Sequence, residues 1–388
     1  MSVTAAAGFV AAGGACGVKE GDVADLAIVA TDDGSAVPAA AVFTTNLTAA
    51  APVQVSRQNL QASGGRVAAV VLNSGNANAS TGAPGREAAL AMARATAIAV
   101  GCRSDEVLVC STGLIGIPLP VDRIVAAIPT VAAQRSRAGG AAAAEAILTT
   151  DTGPKEALVV EAGFAVGGMA KGAAMLAPNM ATMLAVLTTD ATATPRELSS
   201  ALTVGVAASF NRLTVDGCTS TNDTVILLAS GKEAVSTNLD ALTDAVTRVC
   251  CTLASQMAGD AEGATKVVDI AVEGAASDQE AAIAARQVAQ SQLVKCSLYG
   301  EDPYWGRISS ELGSAGVNFD QDQLAIAYGG TVVCRGGVAV AHDEAAVKAH
   351  LAQAAVEIVA DLGIGSGRAS VLTNDLTPAY IAENMRTS

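Results

Sequence analysis

Three observations predict an α/β fold for this sequence of 388 residues. Short β-like runs alternate along the chain with stretches of helical period. Apolar residues make up 51% of the total, enough for a core of normal size in one large or two ordinary domains, so this is not a short, stapled fold. The core is also poor in aromatics, with five Phe, four Tyr and one Trp against 38 Gly, so small and aliphatic side chains must fill it and sheets and helices must pack closely.

In chain order, β-like runs fall at residues 25–30, 39–44, 67–72 and 107–110, and helical stretches at 87–100, 121–134 and 141–148. Two further helices carry start signals with a mechanism. Thr194-Pro195-Arg196-Glu197 and Ser277-Asp278-Gln279-Glu280 both have the form of a capping box, and Pro195 falls at a first helical position, where its missing N–H costs nothing. After about Val267 the pattern resumes as strand (267–272), helix (280–292), strand pair (324–334) and helix (344–354), followed by an apolar run at 356–362. There is no fixed-period repeat, low-complexity linker or charge run that marks a tail.

The net charge of −14 argues against nucleic acid or an anionic membrane surface as the main partner, because both need a basic footprint, and a small-molecule substrate is expected instead. Only two histidines occur, His342 and His350, and neither lies in a catalytic motif. Since proton transfer at neutral pH most often uses His, any catalysis here needs another base. The eight cysteines, at 16, 102, 110, 218, 250, 251, 296 and 334, form no C-x-x-C pair and no zinc set, and reduced structural thiols are expected, with no metal. The first cation is Lys19, Gly13 stands where a lipoprotein signal has a Leu-like residue, and no run approaches the ~18 apolar residues of a membrane span. A soluble cytoplasmic protein is the expectation.

One segment departs from an ordinary surface connection. From Val166 the chain reads VGGMAKGAAMLAPNMATMLAVLTTDA, apolar and Gly-rich, with a lone Lys171, Pro178 and four of the eight Met residues. A loop of this composition should be buried and must satisfy its backbone groups internally. It reads either as a buried crossover into a central strand that begins at Thr182, or as a self-cleavage point in which the small Ala181 precedes a nucleophilic Thr182.

A threonine hydroxyl is a weak nucleophile unless a base lies within hydrogen-bond reach, and the residue's own free α-amine can be that base. The amine titrates near ~8, so it can accept a proton at physiological pH without help from His. The residue must first become an N-terminus, by an N-to-O acyl shift and hydrolysis of the ester. The dipeptide alone is a weak signal, because Ala-Thr also begins at Ala30, Ala95, Ala191, Ala193 and Ala264. Donors for an oxyanion are needed as well. Ser111-Thr112-Gly113 follows a strand, where a Gly-containing turn can aim a backbone N–H and a hydroxyl at one point, although a plain strand-ending turn has the same form. The polar cluster Asn73-Ser74-Gly75-Asn76-Ala77-Asn78 either buttresses that site or is an ordinary loop.

Taken together, VVLNSGNANASTG, VLVCSTGLIG, AILTTDTGPK, GGMAKGAAMLAPNMATML, STNDTV, DAEGATK and LVKCSLYGEDPYWGR, in that order across most of the chain, resemble the ornithine acetyltransferase family of arginine biosynthesis, also called glutamate N-acetyltransferase. The resemblance implies an N-terminal-nucleophile-like layered α/β fold with a smaller C-terminal α/β region from about residue 267. It implies a precursor cut between Ala181 and Thr182 into an α-subunit, 1–181, and a β-subunit, 182–388, paired as a heterotetramer of two of each. Thr182 is then the nucleophile, and Thr112 with Gly113 the oxyanion pair. Substrate contacts map onto Thr149, Thr150, Lys171, Thr182, Glu262, Asn384 and Ser388. Lys171 suits a substrate carboxylate and Glu262 the ammonium of ornithine.

The implied reaction moves acetyl from N-acetylornithine to glutamate by a ping-pong route through an acetyl-enzyme, releasing ornithine and N-acetylglutamate, with no cofactor and with acetyl-CoA as a second potential donor. The rival readings are a related self-processing aminopeptidase or amidase that uses water as acceptor, and a non-enzymatic binding protein that stays one chain. Three positions depart from the family pattern: Ala174 stands for Gly, Tyr304 for Asn, and the tail NMRTS is short and lacks its Tyr. Acidity is uneven too. Residues 1–181 hold 11 Lys and Arg against 13 Asp and Glu, while residues 182–388 hold 12 against 24, so Glu262 lies in the acidic part and Lys171 in the nearly neutral one.

Overall fold

Apolar runs bounded by Gly, Asp and Asn become buried strands, and the Ala-rich stretches become helices that cover them. The computed structural model describes residues 3–174, 183–233 and 238–385. The chain forms two units, one of the residues up to Asn211 with Cys218–Met257, the other of Arg212–Gly217 with the residues from Ala258 on.

Strands of the first unit are β1 (Phe9–Gly14), β2 (Leu26–Thr31), β3 (Val37–Phe43), β4 (Arg66–Val67), β5 (Ala69–Asn73), β6 (Val107–Ser111), β7 (Lys155–Glu161), β8 (Phe164–Lys171), β9 (Leu184–Thr189) and β10 (Thr224–Ala229). Its helices are α1 (Ala51–Ala62), α2 (Gly82–Val100), α3 (Val121–Ala133), α4 (Gly140–Ala146), α5 (Pro195–Ala208) and α6 (Leu239–Gly259). One sheet has the order β1-β2-β5-β6 and the other β4-β3-β10-β9-β8-β7. The sheets pack face to face, Val29, Val70, Leu72 and Leu108 of the first meeting Met169, Val186, Ile226 and Leu228 of the second. On the far side of the first sheet, Ile28, Val71 and Val109 pack on Met92 of α2 and Ile124 and Ile128 of α3. The second sheet is covered by α5 and α6. At Gly168 in β8 an added Cβ would press on Val249 and Leu253, so the absence of a side chain lets α6 lie close. The layers run helix, sheet, sheet, helix, and strands covered on both faces are buried at every residue and mostly apolar, as in β2, β5, β6, β9 and β10. This is the layered α/β architecture the sequence predicts.

The second unit has its own six-stranded sheet, formed by β11 (Val267–Ala275), β12 (Ala325–Tyr328), β13 (Thr331–Arg335), β14 (Val338–Ala339), β15 (Ala355–Asp361) and β16 (Gly367–Asn374) in the order β14-β13-β12-β15-β11-β16. Its helices are α7 (Asp278–Gln290), α8 (Gln292–Tyr299), α9 (Trp305–Ser314), α10 (Glu344–Leu351) and α11 (Pro378–Asn384). Burial alternates along β11, with Val268, Ile270 and Val272 turned into a core shared with Ala281, Ala285 and Val288 of α7. Residues 212–217 join this unit through the Thr214 N–H, which donates to Leu372 O at 2.9 Å.

Several sequence expectations change in detail. The run 67–72 is not one strand. It divides at Ala68, because Val67 pairs with Val37 in one sheet while Ala69 pairs with Ala30 in the other. The capping box at α5 closes in both directions, whereas at α7 Ser277 Oγ accepts the Glu280 N–H and no reciprocal bond forms; Glu280 Oε2 is buried without a partner among the described residues. The stretch 280–292 ends at Ser291, whose hydroxyl caps α8. The apolar segment from Val166 is no loop up to Lys171 but the buried strand β8, held by β7 and β9 on either side. Residues 175–182, with Ala181 and Thr182, and Ser388 lie outside the described residues.

Candidate active site

Two parallel strands, β5 and β6, end side by side with Asn73 opposite Ser111. The chain leaves both at the same edge, which brings the polar loop 73–78 against the turn Ser111-Thr112-Gly113. Ser111 Oγ donates to Asn73 Oδ1 at 2.6 Å, Thr112 N–H to Asn73 O at 3.0 Å, and Ala77 N–H to Leu114 O at 2.9 Å. Gly113 has φ of +128°, and a Cβ there would run into the Gly75 and Asn76 backbone, so only glycine fits. Thr112 is 1% exposed, and its hydroxyl has no hydrogen-bond partner among the described residues. A buried hydroxyl without a partner at a strand end is a donor that an oxyanion can use.

The segment before β10 grips this turn and the start of β9. Asn222 Nδ2 donates to Ala77 O at 2.6 Å and to Ser111 O at 2.9 Å. The next residue, Asp223, accepts the Met183 N–H on Oδ1 at 2.9 Å, while Thr224 N–H donates to Met183 O at 3.2 Å. Burial pushes the Asp223 carboxyl well above the usual carboxylate range, and the Met183 amide offsets only part of that.

A second cluster lies at the end of β8, where Lys171 stands opposite Leu184 of β9. Lys171 Nζ donates to Thr149 Oγ1 at 2.7 Å and lies 3.5 Å from Asp151 Oδ2. Lys155 Nζ is 2.7 Å from Asp151 Oδ1, which also accepts the Gly172 N–H at 2.6 Å. All three charged side chains are buried. Burial alone would raise the Asp151 carboxyl, but the two ammonium groups and the amide outweigh it and hold it well below the usual range. The cluster sets one buried carboxylate against two buried ammonium groups. Thr149 belongs to this network; Thr150 is exposed in the adjoining turn.

In the second unit, Glu262 and Asn384 meet, Asn384 Nδ2 donating to Glu262 Oε2 at 2.8 Å from the last residue of α11. Glu262 borders a cavity of about 130 Å³ lined also by Asp216, Asp375, Lys295 and Tyr380. Lys295 is buried there, donating to Thr373 Oγ1 and Asn374 O, and burial pulls its amine down to about 8. Tyr304 is 56% exposed with the Arg307 guanidinium over its ring and does not line this cavity. The two histidines serve the backbone: His350 Nε2 accepts the Glu357 N–H, and His342 Nδ1 lies 2.8 Å from Val340 O. None of the eight cysteines forms a disulfide among the described residues. No described helix is long and apolar enough to cross a membrane.

Sequence reasoning did not single out Asp151, Asn222 or Asp223, although they lie within TTDTGPK and STNDTV. A signal was available for Asp223, a carboxylate placed directly before the wholly buried strand TVILLA.

The helix-sheet-sheet-helix sandwich, with a buried open hydroxyl at a strand end and a buried lysine cluster, is an architecture compatible with an enzyme of the acyl-transfer type. A family model described as ArgJ family matches residues 10–387. The chain is 47% identical over 384 residues, covering 99% of each chain, to the "Arginine biosynthesis bifunctional protein ArgJ" of Thermobifida fusca, and 46% identical over 392 residues, covering 99% of this chain and 96% of the relative, to the protein of that name from Mycobacterium tuberculosis. Among solved structures, that of ornithine acetyltransferase complexed with ornithine from Mycobacterium tuberculosis is 43% identical, covers 47% of this chain and 96% of that one, and gives a TM-score of 0.43. The chain belongs to the ArgJ family and is an acyltransferase of arginine biosynthesis.

Proposed function

We propose that the chain is a self-processing acetyltransferase that moves acetyl from N-acetylornithine to glutamate. In processing, Thr182 Oγ attacks the Ala181 carbonyl, the Ala181–Thr182 C–N bond breaks, and water hydrolyses the resulting ester. Residues 1–181 become the α-subunit, and residues 182–388, with the C-terminal region from about 267, become the β-subunit; two of each associate in the cytoplasm.

In turnover the freed α-amine of Thr182, partly neutral near its ordinary value of ~8, takes the hydroxyl proton as Oγ attacks the acetyl carbonyl. The proton passes to the departing nitrogen, the amide C–N bond breaks, and ornithine leaves an acetyl ester on Thr182. The neutral amine of glutamate then attacks that ester, the C–O bond breaks, the hydroxyl regains its proton, and N-acetylglutamate departs. Each tetrahedral oxyanion is held by the Thr112 hydroxyl and Gly113 N–H, donors of a kind worth about 10²–10³-fold each. Lys171, with Thr149 and Thr150, receives substrate carboxylate, and Glu262, with Asn384 and Ser388, receives ammonium. No cofactor is needed. The relatives are named bifunctional, which agrees with acetyl-CoA as a second donor.

The observation that carries this reading is the buried Thr112 hydroxyl, open beside Gly113 at the end of β6. Intact-mass measurement tests it: two chains joined in the sequence at Ala181–Thr182 are expected, with one acetyl added to the second chain after incubation with N-acetylornithine. One uncut chain, or two fragments from Thr182→Ala protein, overturns it. Free acetate in place of N-acetylglutamate gives the aminopeptidase-like reading instead.

A further inference from the structure

Acyl transfer requires the nucleophile and the oxyanion donors to keep a fixed separation, because misplacement by about 1 Å costs on the order of 10²-fold in rate. In this protein the two sets of groups lie on different sheets. Thr112 and Gly113 follow β6 of the first sheet, and Met183, the residue after Thr182, precedes β9 of the second. Main-chain ladders fix positions within a sheet but not between sheets, where apolar packing is compatible with small slides. A specific polar tie is therefore needed between the two strand ends.

We propose that Asn222 and Asp223 are that tie: two positioning residues, adjacent in sequence, one fixing the oxyanion turn and the other the strand end that follows the nucleophile. The proposal rests on the reading of Thr182 and Thr112 given above and adds to it the residues that set their distance. Asn222 reaches across to the first sheet, where its one amide group donates to Ser111 O and Ala77 O and so clasps both sides of the turn that holds Thr112. Its Oδ1 accepts from Thr221 Oγ1 at 2.6 Å, which fixes the amide orientation. Asp223 reaches the other way, to the Met183 N–H, and Thr224 holds the Met183 carbonyl, so residue 183 is gripped on both sides. The segment is itself anchored, Thr44 donating through Oγ1 to Ser220 O at 2.7 Å and through N–H to Asp223 O at 2.9 Å. All these side chains are buried.

The chemistry of Asp223 fits a positioning role. Asp223 meets the Met183 amide through one carboxyl oxygen, Oδ1, in a setting closed to solvent. What the position requires is an oxygen that accepts the Met183 N–H. An amide of the same shape can do this too, and an isosteric hydrocarbon cannot.

Three variants and one cycle test the tie, each on protein whose processing is read by intact mass and whose folding is checked by circular dichroism. Asp223→Leu and Asn222→Leu are expected to lower kcat on the order of 10²-fold with KM little changed, and Asp223→Asn to recover most of what Asp223→Leu loses, with the same pH profile as the parent. Thr112→Val should cost its full factor in the parent and little in the Asn222→Leu background, because a displaced turn has no oxyanion contact left to lose. Additive losses, or a fall confined to KM or to folding, overturn the tie while leaving Thr182 as nucleophile. Absence of acetyl on Thr182 in the parent protein overturns both.

Discussion

Lys171 and Thr149 are joined by a 2.7 Å hydrogen bond between side chains that come from different parts of the first unit, 22 residues apart in sequence. The bond exists because Asp151 holds both: its carboxylate accepts from the Thr149 N–H at 3.1 Å and faces the Lys171 ammonium. Lys171 is thus a fixed, buried charge, not a snorkelling amine. Its position depends on a counter-ion that meets no solvent.

Replacing Asp151 by Asn removes the buried counter-charge that lies 2.7 Å from Lys155 and 3.5 Å from Lys171. Removal of one partner from a buried ion pair costs about 3–5 kcal/mol, so the expected outcome is a large fall in stability in urea denaturation. The pH dependence has a defined sign. The folded-state value of Asp151 lies below its unfolded value of about 3.9, so its contribution is complete above that value and is lost as pH falls through the folded one. The parent should lose stability below about pH 4, and Asp151→Asn should lack that component.

Thr112→Val separates stability from catalysis. The hydroxyl it removes is buried and without a partner, so stability should hold or rise by up to about 1 kcal/mol. Steady-state kcat should fall about 10²–10³-fold. Gly113→Ala should damage both, because its Cβ meets the Gly75 backbone at a φ of +128°.

Glu262→Gln keeps an oxygen for the Asn384 amide and removes the charge. If Glu262 faces an ammonium, KM for N-acetylornithine should rise about tenfold, the loss of one charge-assisted hydrogen bond, with the fold intact by circular dichroism. An unchanged KM would remove Glu262 from the substrate contacts.

His342→Gln together with His350→Gln should leave kcat at the parent level. Neither imidazole does more than bond main chain, so the acidic limb of the pH–rate profile, where the base becomes protonated, should remain that of an α-amine near ~8. A limb that disappears in the double variant would assign the base to histidine.

Much of the frame was legible in the chain. Residues 107–110 and 121–134 stand as β6 and α3 within a residue or so, and the Thr194 capping box stands whole, because these signals are local. The division at Ala68 was not legible, since nothing in RVAAVVLN says that two sheets share it. Nor was the strand character of Val166–Lys171: a Gly-rich apolar run reads as a loop until β7 and β9 are seen to supply its hydrogen bonds. The polar cluster at 73–78 was visible as a cluster, but its partner at Ser111–Gly113 lies nearly forty residues on, and only the parallel pairing of β5 with β6 brings them together.

By itself the sequence determined the α/β class, the presence of only two histidines and the order of motifs that marks the family, because periodicity, composition and motif order are properties of the chain. Only the tertiary structure decided that the Thr112 hydroxyl is buried and open, that Asp151 fixes Lys171, and that Asn222 and Asp223 reach in opposite directions to two sheets. Those facts rest on desolvation and on hydrogen bonds between distant segments. Both are set by what surrounds a side chain after folding and by nothing in its neighbours along the chain.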